Sequence, residues 1–248
     1  MEEKIDPVLE VQKVDIAVSA MNSALGILPI VGPLLAELVG YTIPNQRFDR
    51  LVKYSTQLEK KVEKIDNSVL KLALQDENFT DLMEESLRQA ARSLSDERRE
   101  YISSVIANSL TPEKKDFIES KYILKILGEI NDIEVIWLRF YYCPLMNGDS
   151  EFRQRHEKVI KYERAHIQSP QITVDKEALQ KNYKTHLVEL GLLKPIYAST
   201  KITSTIEIPV FDTFAKAPKI QNYEISSFGK LLIRQIGLDY DYQANFPK

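Results

Sequence analysis

The chain has 248 residues, 44% of them hydrophobic and 28% charged, and a net charge of −3. That composition excludes a disordered or fibrous chain and leaves room for the buried core of one or two domains. The net charge gives no general support to nucleic-acid binding, and the single cysteine, Cys143, excludes an internal disulfide.

The acidic start Met1-Glu2-Glu3 is unlike the basic opening of a secretory signal peptide, so a cytoplasmic location with a peripheral membrane phase is the expectation. Residues 16–36 then run for 21 positions without a charge. As one straight helix they would span about 30 Å, the hydrocarbon thickness of a bilayer. Gly26, Pro29, Gly32 and Pro33 interrupt them, so residues 1–45 read as a broken apolar helical segment. Leu25, Ile27, Leu28, Ile30, Val31, Leu34 and Leu35 are its candidate membrane contacts. A hairpin packed in the protein's own core is the competing expectation.

Residues 46–146 read as a helical bundle. Phe48, Leu51, Ser55, Leu58, Val62, Ile65, Val69 and Leu72 alternate steps of three and four, which predicts one heptad helix over 48–74. It would pack on its own chain or on a second copy. Phe79 to Ala91 predicts the next helix, and Ser95 or Asp96 caps another that contains Ile102, Val105 and Ile106. Thr111-Pro112 opens a third, which Gly128 stops. Asp132 caps a core helix from Ile133 to Tyr142.

Residues 147–248 form the last region. A basic helix is predicted over Phe152–His166, and Asp175 caps another that runs to Leu190 and is closed by Gly191. Leu187, Leu190, Gly191, Leu192 and Leu193 lead into a β-branched stretch. Tyr223-Glu224-Ile225-Ser226-Ser227-Phe228-Gly229 then returns the chain to a helix that Ser226 would cap. This order resembles a winged helix, so the fold class expected is mainly α: a helical bundle followed by a small α+β module. Residues 151–234 hold 14 Lys+Arg against 9 Asp+Glu, a balance of +5. Lys181, Lys184, His186, Lys201, Lys216 and Lys219 are the candidate nucleic-acid contacts. Glu177 and Glu189 on the same helix weigh against that role, and such modules also bind proteins.

No catalytic, metal-ligating or cofactor-binding residue is nominated. Glu224 stands where a P-loop ending in Gly229-Lys230 needs glycine. His156-Glu157 lacks the second histidine of a zinc-protease helix, since residue 160 is Ile160.

The whole order of features has a parallel. It runs from the Gly/Pro-bearing apolar segment and charged heptads through Met83-Glu84-Glu85-Ser86-Leu87 and Ile102–Leu110. It continues with Leu127–Glu134 and the Leu190-Gly191-Leu192-Leu193 and Tyr223–Gly229 motifs. In this it resembles the bacterial abortive-infection alpha-like proteins. That resemblance implies a role in phage defence through protein or membrane contacts, without catalytic residues. A nucleic-acid-binding regulator and an oligomeric scaffold are the alternatives.

Overall fold

The computed structural model describes residues 45–111, 116–143, 149–201, 207–209 and 218–239. The chain is mainly α-helical, with a small antiparallel β element toward the C-terminus. Its contacts cluster into two compact units, Met1–Glu129 with Gln235–Gly237, and Ile130–Arg234 with Leu238–Lys248.

The first unit contains α1 (Asn45–Val62), α2 (Asn67–Ala73), α3 (Glu77–Arg92), α4 (Asp96–Ser109) and α5 (Phe117–Glu129). Short polar side chains start these helices by accepting orphan amides. Asp66 takes Ser68 N at 2.7 Å, Asp76 takes Asn78 N at 2.8 Å, and Ser95 takes Arg98 N at 3.1 Å. α1 packs on α3 and α4, and α5 packs on α3 and α4. Leu51, Tyr54 and Leu58 are buried, as are Phe79, Leu82, Met83, Leu87, Ile102, Val105, Ile106 and Leu124 of the other helices. Tyr54 buries its phenol by donating to Ser86 Oγ at 3.0 Å, and burial pushes its ionisation well above the usual range.

The heptad helix over 48–74 needs correction. α1 stops at Val62, and Asp66 caps a separate α2. Leu51, Ser55, Leu58 and Val62 are buried as the seam requires. Beyond the break the burial passes to Leu70 and Ala73, leaving Leu72 69% exposed. Gly128 does not stop α5, which continues to Glu129. A Cβ there would lie 2.9 Å from Gln89 Nε2, so this glycine admits a neighbouring side chain.

The second unit contains α6 (Asp132–Tyr142), α7 (Ser150–Arg155), α8 (Glu157–Ile160), α9 (Gln171–Glu189) and α10 (Ser227–Gln235). Its strands are β1 (Leu193–Tyr197), β2 (Ser199–Lys201), β3 (Glu207–Pro209) and β4 (Ile220–Ile225). α6 is entered through a capping box one residue before the expected cap. Asn131 Oδ1 accepts Glu134 N at 2.9 Å, and Glu134 Oε2 accepts Asn131 N at 2.8 Å.

The basic helix expected over Phe152–His166 is instead two short helices followed by a loop. Gln180 supplies the reason, because it satisfies the loop's backbone. Its amide donates to Lys161 O at 2.8 Å and Val159 O at 3.2 Å, and Glu177 Oε2 accepts Ala165 N at 3.0 Å. α9 begins at Gln171, directly after Pro170 and ahead of Asp175.

α9 ends at Glu189, and the chain turns away at Gly191, whose φ of +71° is left-handed and suits glycine. β1 pairs antiparallel with β4 in the register Leu193↔Ile225, Lys194↔Glu224 and Pro195↔Tyr223, with an irregularity at Ile196/Tyr197. β2 pairs with β3 as a second two-stranded element. Ser226 joins hairpin to helix as its sequence implied. Its Oγ donates to Gly191 O at 2.6 Å and accepts Gly229 N at 2.9 Å. No helix among the described residues is long and apolar enough to cross a membrane.

Candidate functional site

Within the second unit α9 turns Gln180, Lys184 and Leu187 inward, steps of four and three along one helical face. This brings Lys184 onto α6. Its ammonium lies 4.3 Å from the Trp137 ring centroid and 5.3 Å from that of Tyr162, and the residue is only 8% exposed. Burial lowers the pKa of this lysine from its ordinary value, with no charge partner contributing. Trp137 is buried, and its Nε1 is fully enclosed without an acceptor among the described residues. Tyr162, in the loop before α9, is exposed and walls the other side.

Two residues on from Lys184, His186 Nδ1 lies 2.7 Å from Oε1 of Glu134. The Glu134 side chain is buried, with its other oxygen occupied by the capping box. Next to Trp137, Tyr141 stacks at 6.2 Å and faces Tyr223 of β4 at 6.0 Å. Burial, with smaller repulsion from Tyr223 and Tyr162, pushes the Tyr141 phenol above its usual range; Tyr223 is raised by the same chief cause. Arg139 pairs with Asp149 at 2.8 Å and lies over Phe152, while Arg153 lies over Phe140 and donates to Cys143 O. These two arginines therefore face the protein's own rings, a carboxylate and a carbonyl.

This arrangement revises the list of nucleic-acid contacts. Lys184 is removed from it because its ammonium is enclosed by aromatic faces. His186 is engaged with Glu134. Lys181 is exposed but paired with Glu177 at 3.2 Å, one helical turn away. Lys219 is exposed, and its carbonyl accepts Ala198 N at 2.8 Å. Lys201 closes β2, and Lys216 lies outside the described residues. The apolar set Leu25, Ile27, Leu28, Ile30, Val31, Leu34 and Leu35 also lies outside them.

Sequence reasoning missed the Trp137–Lys184–Tyr162 notch. A usable signal was present: stepping back from the apolar Leu187 by three and seven residues reaches Lys184 and Gln180.

The first unit carries a different feature. On α5, Ile118 is 64% exposed and Tyr122, one turn on, is 53% exposed. With Glu85, Lys121 and Lys125 they line an open groove of about 410 Å³. Lys121 forms an ion pair with Asp81 across to α3.

Among the described residues no three His, Cys, Asp or Glu side chains are grouped so as to hold a metal ion. No protein-family model, curated protein or solved structure matches this chain.

Proposed function

We propose that this protein acts by contact rather than by chemistry, as a phage-defence protein of the abortive-infection alpha-like kind. The observation that carries the reading is the exposed apolar ridge of Ile118 and Tyr122 beside a groove with lysines on its rim. Exposed apolar side chains clustered at the edge of a concavity, within a charged surround, are what a protein-binding face presents. The order of motifs in the sequence supports the same reading, with residues 16–36 as an element that a trigger releases onto a partner or a membrane.

The test is expression in a bacterial host challenged with phage, scoring plaque formation, growth arrest and membrane fractionation together. The 248-residue chain should restrict plaques. Deletion of residues 1–45 and the double variant Ile118→Asp/Tyr122→Asp should each lose restriction while remaining folded. Protection unchanged in both variants would remove the contact reading. For the membrane arm, Leu28→Asp/Val31→Asp should abolish flotation with anionic vesicles, and an intact protein that never floats would remove that arm.

Nucleic-acid binding is the second reading, favoured by the +5 balance of residues 151–234 and by the winged-helix-like order of α9, hairpin and α10. It predicts a gel shift that weakens steeply with salt and depends on Lys181 and Lys219. No shift at low salt would exclude it.

A further inference from the structure

We infer that the outer face of α9, from Ile172 to Leu179, pairs antiparallel with the same face of a second copy of this chain. This goes beyond the contact function proposed above and does not depend on it.

α9 packs on α6 and β1, and Gln180, Lys184 and Leu187 are its buried residues. At about 100° per residue, Ile172, Asp175, Lys176 and Leu179 share an arc of about 100°, centred roughly a quarter-turn from that buried line. All four are exposed, Ile172 by 65% and Leu179 by 51%. Single exposed apolar side chains are ordinary. What sets this stripe apart is the order of its charges.

The stripe reads apolar, acid, base, apolar, and its midpoint falls between Asp175 and Lys176. When a second α9 lies antiparallel across that midpoint, Ile172 of each copy meets Leu179 of the other. Asp175 of each copy then meets Lys176 of the other, so every contact forms twice about one two-fold axis. Asp175 accepts Gln171 Nε2 through Oδ1 at 2.7 Å, which leaves Oδ2 for the lysine. A parallel arrangement would instead set acid against acid and lysine against lysine, which repel. An antiparallel register centred on Ile172 carries Leu179 past the start of the other helix, and one centred on Leu179 sets Ile172 against His186. An unrelated protein or a lipid surface has no need of this inverted order, whereas a copy of the same helix matches it. Two such short stretches bury less than about 1,200 Å², so the association is weak and depends on concentration.

The test is sedimentation equilibrium of the 248-residue chain over rising concentration, with the folding of each variant checked by circular dichroism. The average mass should climb toward that of a dimer, and Leu179→Asp should hold it at the monomer. Asp175→Lys and Lys176→Asp should each weaken association several-fold, because each sets like charges across the axis. Mixing those two variants in equal amounts should restore it, since the acids of one then face the lysines of the other. A chain that stays monomeric at every concentration would overturn the inference. If that monomer instead floats with anionic phospholipid vesicles and Leu179→Asp prevents it, the face belongs to lipid and the inference fails. Association unchanged by Leu179→Asp would move it to another surface and overturn it as well. Mixed charge variants that associate no better than either alone would overturn the antiparallel register.

Discussion

Replacing Gly229 with alanine tests the joint between hairpin and helix. A Cβ at this position would stand 2.3 Å from Leu192 O and 2.8 Å from Ile225 Cγ1, and the first of these is backbone that cannot rotate away. Leu192 O also accepts Ser226 N at 3.0 Å, so relieving the clash stretches a hydrogen bond that holds β1 to the start of α10. Overpacking costs about 1–3 kcal/mol and a weakened hydrogen bond about 1 kcal/mol, while alanine in a helix returns up to about 1 kcal/mol. The net expectation is a loss of about 1–3 kcal/mol. Gly191→Ala is the control. Nothing lies within 4 Å of its Cβ, so only its φ of +71° opposes the change, at about 1–2 kcal/mol. Urea unfolding read by the fluorescence of Trp137, the chain's one tryptophan, reports on the second unit that contains both glycines. Gly191→Asn should recover part of the control's loss, since asparagine tolerates that conformation, whereas no side chain should rescue position 229. A Gly229→Ala protein as stable as the parent would refute the contact argument, and so would rescue of position 229 by asparagine.

Three further outcomes are expected. Glu134→Ala removes both the cap acceptor and the partner of His186, and should lower the urea stability of the second unit by about 1–3 kcal/mol. Tyr54→Phe deletes one buried hydrogen bond but leaves Ser86 donating to Met83 O, so thermal unfolding should show a loss of only about 1 kcal/mol. Alkaline titration of stability should show two opposed limbs. Lys184 has a lowered folded pKa, so the unfolded state holds more protons and stability rises with pH until the ordinary lysine value of 10.5 is passed. Tyr141 and Tyr223 have raised folded values, so stability falls with pH above their ordinary 10.0. Lys184→Met should flatten the first limb and Tyr141→Phe the second; a profile unmoved by both variants would contradict the burial described.

Local signals survive the comparison of sequence with structure best. Ser95, Gly191 and Ser226 act where their types and positions placed them, because a cap is decided by a side chain and the amides two or three residues away. The general architecture was legible for the same reason, as helical spacing recurs wherever one face is buried. The heptad run misled because Asp66 competes for the backbone. A short acceptor two residues before Ser68 starts a new helix after α1 has stopped at Val62, and a spacing of threes and fours can continue through that break by coincidence. The basic stretch after Phe152 has good helix formers, yet it leaves the helix because a glutamine from α9 satisfies its carbonyls. That interaction joins residues about twenty positions apart, and no local window contains it. Lys184 was misplaced in the same way. On a charged helix a lysine is expected in water, and only the folded position of Trp137, 47 residues earlier in the chain, turns it inward.

The fastening of Ser226 to Gly191, with β4 paired along β1, closes the neck of the connection between them. Once a neck is sealed, the length of what it encloses matters little, since doubling such a connection adds only about 0.6 kcal/mol of closure entropy. An affinity tag, a reporter or a grafted epitope spliced into Leu193–Tyr197 or Ile220–Ile225 would instead part that pairing and disturb the body of the protein.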